Sequence, residues 1–114
     1  MFFRCDRYVV VDGKADAFTA FFTRHVLPIR EKYGARLVGR WQTEDEVEVL
    51  VIWAYESRQA AEEADRLVEQ DPATAEARAF LERYLEPVCV EQAQTPLYST
   101  VPLKQTALHG LSFR

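Results

Sequence analysis

The chain contains no asparagine, only three lysines against eleven arginines, four glycines, two cysteines and two histidines in 114 residues. Each scarcity excludes a class of protein. Four glycines form neither a G-x-G-x-x-G string nor a phosphate loop, so the nucleotide-binding fingerprints are missing. Cys5 and Cys89 lie far apart without C-x-x-C spacing, which excludes a disulfide-stapled scaffold; both sit in apolar, strand-like runs and read as buried, inert thiols. His25 and His109 are equally distant and gather no ligands, so no metal or cofactor site is expected. The three serines, Ser57, Ser99 and Ser112, fall in cap, strand-end and tail contexts with no G-x-S-x-G around any of them. No apolar run approaches the ~18 residues of a membrane span. Met1 to Asp6 carry charges where a signal peptide needs an apolar centre, so a soluble, cytoplasmic protein is expected.

Charge removes two kinds of partner. The net charge is −4, and the densest run, Thr43-Glu44-Asp45-Glu46 followed by Glu48, is acidic. A nucleic-acid binder needs a basic stripe to displace counterions, and an anionic membrane surface needs the same. Neither is expected as a partner. What remains is a 48% hydrophobic chain of single-domain length, which buries about two thirds of its surface on folding.

The hydrophobic pattern orders the elements. Residues 2–11 are aromatic and β-branched and end at the turn pair Asp12-Gly13, which reads as a strand. Phe18, Phe21, Phe22, Val26, Ile29 and Tyr33 then recur at three- and four-residue steps on one helical face, with Gly34 as the stop. Pro28 interrupts that helix and crowds the Arg24 carbonyl, so a kink is expected over 24–28. Residues 35–42 and 47–56 read as a hairpin across the acidic loop. Ser57 caps a helix whose buried stripe is Ala60, Ala61, Ala64, Leu67 and Val68. Asp71-Pro72 breaks it and starts another, carrying Ala77, Phe80, Leu81, Tyr84 and Leu85, with Pro87 as its end. A last strand near 88–98 completes a domain over 1–103, followed by a C-terminal tail over 104–114.

The order β-α-β-β-α-β is the ferredoxin-like unit, an α+β fold with a four-stranded antiparallel sheet and helices on one face. Its third strand is unusual for such a sheet. Val47, Val49, Val51, Trp53 and Tyr55 form one face, and Leu50, Ile52 and Ala54 form the other, so both faces are apolar. Helices cover one of them. A second copy of the chain is the simplest cover for the other, so a homodimer with facing sheets is expected. The hairpin register stays open. An even loop puts Val38, Arg40 and Gln42 beside Val49, Val51 and Trp53; an odd one puts Leu37, Gly39 and Trp41 there.

Few residues suggest chemistry. His25 lies at the edge of the first helix's apolar stripe, where an imidazole can serve a pocket as general base; the alternative is a partly buried histidine bonded to a carbonyl freed by Pro28. Trp41, Trp53 and Tyr55, with Arg40 beside them, can line a pocket for a flat organic ligand or equally fill a dimer core. Arg7 and Tyr8 can present a cation and a phenol to an acidic ligand, or Arg7 can pair with a carboxylate such as Glu91. Glu62, Glu63, Asp65 and Glu69 read as the solvated face of their helix.

Arg7-Tyr8, Asp12-Gly13-Lys14, a phenylalanine-rich helix ending in Lys32-Tyr33-Gly34-Ala35, and Leu37-Val38-Gly39-x-Trp41 follow one another in an order that resembles the NIPSNAP family. Ile52-Trp53-Ala54-Tyr55-Glu56-Ser57 and Asp71-Pro72 continue the likeness, which spans residues 4–98. The resemblance implies a ferredoxin-like domain that pairs into a dimeric α/β barrel. The wider superfamily includes cofactor-independent monooxygenases and haem-degrading enzymes; the latter characteristically use an asparagine, which this chain lacks altogether. Three functions follow as expectations. One is a dimer of unassigned activity that binds a small aromatic or acidic molecule. Another is a monooxygenase-like enzyme of secondary metabolism with His25 as base, and the third a non-catalytic dimeric assembly module.

Overall fold

A computed structural model describes residues 1–85 and 89–97, with side chains over 1–83 and 93–97. The expected tail over 104–114, the Cys89 thiol and the Tyr84 and Leu85 side chains lie outside the described residues.

The strands are β1 (Phe2–Val10), β2 (Arg36–Gln42), β3 (Glu48–Tyr55) and β4 (Cys89–Leu97), in one sheet of order β2-β3-β1-β4. All three pairings are antiparallel. Between β1 and β2 run helices α1 (Ala15–Phe21) and α2 (Leu27–Lys32), joined by a π-helical turn over Phe22–Val26. Between β3 and β4 run α3 (Arg58–Gln70) and α4 (Pro72–Phe80), and a second π-helical turn follows over Leu81–Leu85. This is the ferredoxin-like α+β arrangement. Among the described residues no helix is long and apolar enough to cross a membrane.

The punctuation works as its chemistry requires. Gly34 takes φ 98°, a left-handed conformation that ends α2. The Ser57 hydroxyl accepts from the Ala60 N–H at 3.0 Å, and the Asp71 carboxylate accepts from the Ala73 N–H at 2.8 Å. Asp71 also accepts from Lys32 Nζ at 2.8 Å and the Tyr33 hydroxyl at 2.5 Å, tying the end of α2 to the joint between α3 and α4. Those hydrogen bonds hold its carboxyl well below the usual carboxylate range.

The expected break at Pro28 takes a specific form. Proline has no N–H for the Arg24 carbonyl, and the helix widens just ahead of it, where the Leu27 N–H donates to the Phe22 carbonyl five residues back. His25 sits on this widened turn.

Sheet alternation sorts the core. Arg4, Asp6, Tyr8 and Val10 of β1 point under the helices beside Val49, Val51, Trp53 and Tyr55 of β3, and all eight are buried. Phe3, Cys5 and Val9, with Leu50 and Ile52, occupy the opposite face and are only half-buried. Cys5 is therefore not the enclosed thiol expected from its apolar setting, although burial, with the Asp6 charge, still raises its pKa and keeps it a weak nucleophile. The hairpin uses both registers considered. Arg40 and Gln42 stand opposite Val51 and Val49, then an irregularity at Val38 shifts the ladder and brings Leu37 opposite Trp53.

Candidate functional site

Period-two alternation along β1 places two charged side chains, Arg4 and Asp6, on its inner face. Asp6 is wholly buried: one carboxylate oxygen accepts from the Trp53 indole N–H at 3.2 Å, and the other lies 3.3 Å from Arg4 Nε. Burial raises the Asp6 pKa, opposed by the positive charges of Arg4 and Arg30 and by the Trp53 bond. Arg4 extends the chain of charges outward. It donates to Asp65 of α3 at 2.7 Å and to the Tyr55 hydroxyl at 3.2 Å, and its cation lies over the Tyr55 ring. Desolvation works against the Arg4 charge, but Asp65 and Asp6 outweigh it and its pKa rises. Arg30 of α2 donates to the other Asp65 oxygen at 3.0 Å. Two guanidinium groups and two carboxylates thus form a balanced network, because an unpaired buried ion would cost several kcal/mol.

Asp65 and Arg30 form one wall of a cleft of about 490 Å³ between the two helical connections. Tyr8 and Gln94, from neighbouring strands, contribute its sheet side, and Phe18, Phe21, Ile29, Val68, Ala77 and Leu81 make most of the remainder apolar. His25 enters from the π-helical turn. Its imidazole lies between the rings of Phe21 and Phe80, each centroid 5.1 Å away, and its Nε2 is buried with no hydrogen-bond partner among the described residues. The widened backbone exposes this side chain at the cleft, a place where π-turns often serve function. The bond to a freed carbonyl that was the alternative for His25 is not made by Nε2. Among the described residues no group of three histidine, cysteine or carboxylate side chains is placed to hold a metal ion.

The residues singled out from the sequence do not converge on one pocket. Only His25 and Tyr8 line the cleft. Trp53 and Tyr55 are sealed in the core under the helices, with Trp53 also against Phe22 at 6.0 Å. Trp41 lies on the opposite face of the sheet, opposite Leu50 and 53% exposed. Arg40 stands beside the first helix, donating to Thr19 Oγ1 at 3.2 Å with its cation over Phe18 and Phe22; desolvation lowers its pKa against the pull of Tyr8. Arg7 faces the open side and donates to Glu48 at 2.7 Å, while Glu91 stands opposite Val9.

The missed residues are Asp65 and Arg30. Asp65 read as part of a solvated acidic face, yet it stands four residues from Ala61 and three from Val68, on the stripe that packs inward. That spacing was the available signal.

A four-stranded antiparallel sheet with two helical crossovers on one side, enclosing a cleft of this kind, defines the molecule as a ferredoxin-like α+β protein. The NIPSNAP family profile matches residues 3–101, and the chain belongs to that family. A NIPSNAP domain protein from Burkholderia xenovorans superposes with TM-score 0.74 at 22% identity, covering 92% of this chain and 100% of its own. A NIPSNAP family protein from Agrobacterium tumefaciens gives 0.72 at 18%, covering 87% and 92%. The fold extends to a Nitrosomonas europaea protein provisionally assigned as an antibiotic biosynthesis monooxygenase, with TM-score 0.63 at 13% identity over 89% and 100% of the two chains. Comparison with curated protein sequences finds no match.

Proposed function

We propose that this NIPSNAP protein is a homodimer that binds a small, flat organic molecule in the cleft of each subunit. The observation that carries the reading is the His25 imidazole, clamped by Phe21 and Phe80, with a buried Nε2 that has no hydrogen-bond partner among the described residues. A buried polar nitrogen without a hydrogen bond is costly, and a ligand hydroxyl satisfies it. The same contact is the start of chemistry: His25 Nε2 takes the proton of a phenolic or enolic O–H, leaving the electron pair on the ligand oxygen. Dimerisation is supported by the half-buried apolar residues of the open face and by the exposed Trp41 beside them.

The test is native mass spectrometry of gently purified, untagged protein, followed by titration of a phenolic aromatic such as 1-naphthol. A dimer with an added stoichiometric mass, or about tenfold weaker naphthol binding in His25→Gln, supports the reading. A monomer removes the barrel, and equal affinity in His25→Gln removes the role of Nε2.

The likeness to the Nitrosomonas protein favours one further reading, oxygenation without a cofactor. Dioxygen is then the oxidant: a ligand CH2 activated by proton loss becomes C=O, and the second oxygen atom leaves as water. Oxygen uptake that requires His25 in an intact dimer distinguishes this enzyme from a non-catalytic assembly module of the same shape.

A further inference from the structure

We infer that the cleft selects neutral ligands over carboxylates and other anions, because every described ionic group on its wall is already neutralised by another. This rests on the cleft being the ligand site.

Four of the described lining residues are ionic: Arg30, Asp65, Glu69 and Arg78. They form two closed pairs. Arg30 donates to Asp65 at 3.0 Å, and Arg78 holds both oxygens of Glu69 at 2.8 Å each. Behind the first pair stands a third, with Arg4 bonded to Asp65 and facing the buried Asp6. An anion entering the Arg30 end meets a guanidinium whose charge is offset by Asp65 and a carboxylate that repels it. It also loses its hydration against walls of phenylalanine, isoleucine and leucine.

A neutral hydroxyl or carbonyl has no such penalty. Either one accepts from Arg30, and a hydroxyl also donates to Asp65 or Gln94, without opening an ion pair. The cleft thus fits an aromatic body bearing hydroxyl or ketone groups, with its acidic O–H toward His25 and a second polar group toward Arg30. The acidic ligands that Arg7 and Tyr8 suggest from sequence find no unpaired arginine or lysine among the described lining residues, since Arg7 lies on the other face of the sheet, bonded to Glu48.

Two probes of one shape and different charge test this: 1-naphthol and 1-naphthoate, titrated at about pH 8, where the naphthoate carboxyl is fully ionised. The wild-type protein is expected to bind naphthol at least ~10-fold more tightly. Asp65→Asn uncovers the Arg30 and Arg4 charges and shifts the ratio toward naphthoate by about tenfold. Glu69→Gln uncovers Arg78 at an exposed position and shifts it the same way by about threefold, in a protein whose fold does not depend on that pair. Naphthoate binding as well as naphthol in the wild type overturns the inference while leaving the cleft as the site. An unchanged ratio in Glu69→Gln and in any folded Asp65→Asn protein overturns its electrostatic basis. Failure of both probes to bind the wild type removes the cleft reading and this inference together.

Discussion

The two faces of the sheet are equally apolar in sequence and opposite in organisation. Beneath the helices, Val49, Val51, Trp53 and Tyr55 surround a charged group, Arg4 with Asp6, that is cut off from water. On the open side, Leu50, Ile52 and Trp41 surround no buried charge among the described residues, and the ion pair of Arg7 with Glu48 is more than a third exposed at both ends. Apolar content alone therefore does not distinguish a face that seals charge beneath helices from one that stays half-buried. The placement of ions does. The charge buried beneath this face reaches the cleft, through Asp65 and Arg30.

The sharpest way to break the comparison is to remove the cation from each face. Arg4→Leu strands Asp6 without its partner and is expected to cost roughly 3–5 kcal/mol in denaturant unfolding, whereas Arg7→Leu costs at most about 1 kcal/mol. The pH dependence of the first variant has a definite sign. Asp6 already has its pKa raised in the folded protein, so its charged form is the penalised one. Its contribution to stability is present at low pH and lost as pH rises through the folded value. Removing Arg4 takes away the largest opposing effect and raises that value further, so the Arg4→Leu defect is expected to shrink on acidification. A defect that grows as pH falls toward the ordinary aspartate range would contradict this account of Asp6.

A somewhat smaller contrast comes from neighbours on β3 that face opposite ways. Val51→Glu puts a carboxylate into the sealed core beside Asp6 and is expected to unfold the chain. Ile52→Glu puts the same charge on the open face, where, in the proposed homodimer, it is expected to weaken association about 100-fold and leave a folded monomer. Circular dichroism with sedimentation separates the outcomes. An Ile52→Glu protein that stays fully dimeric shows that the open face is not the interface.

Much of this organisation was legible in the sequence. The element order, the Gly34 stop, the Ser57 and Asp71 caps and the two-sided strand follow from local chemistry and periodicity, which act over a few residues. The site was less legible because it depends on pairing. Trp41 and Trp53 look like partners on adjacent strands, but register decides which face each takes, and the irregularity at Val38 changes register partway along β2. Arg4 and Asp6 alternate in step with Tyr8 and Val10, and Asp65 falls in step with Ala61 and Val68. Their charge argued for solvent, and only the presence of one another, together with Arg30, makes burial tolerable. No local pattern announces a partner 61 residues away. His25 was recognised from its stripe, but its ring clamp required Phe80 from another crossover.

The smallest expected effect sharpens the picture of the open face at its least ordinary point. Trp41 lies flat over Gly39, so closely that a Cβ there would stand 2.3 Å from the ring. The glycine is needed for this approach, not for its backbone angles. In Gly39→Ala the indole must swing away, and an exposed side chain at the sheet edge can do so without disturbing the core. The added methyl lowers the backbone entropy of the unfolded chain, which offsets the lost stacking, so stability is expected to change by less than about 1 kcal/mol. The readout is the surface. Trp53 remains sealed beside Asp6, so any change in tryptophan emission belongs to Trp41, and Trp41→Phe assigns it. If the flat indole is part of the dimer contact, Gly39→Ala weakens dimerisation several-fold while the emission shifts to the red. A shift in emission with unchanged association places Trp41 outside the interface and confines the contact to residues nearer Leu50 and Ile52.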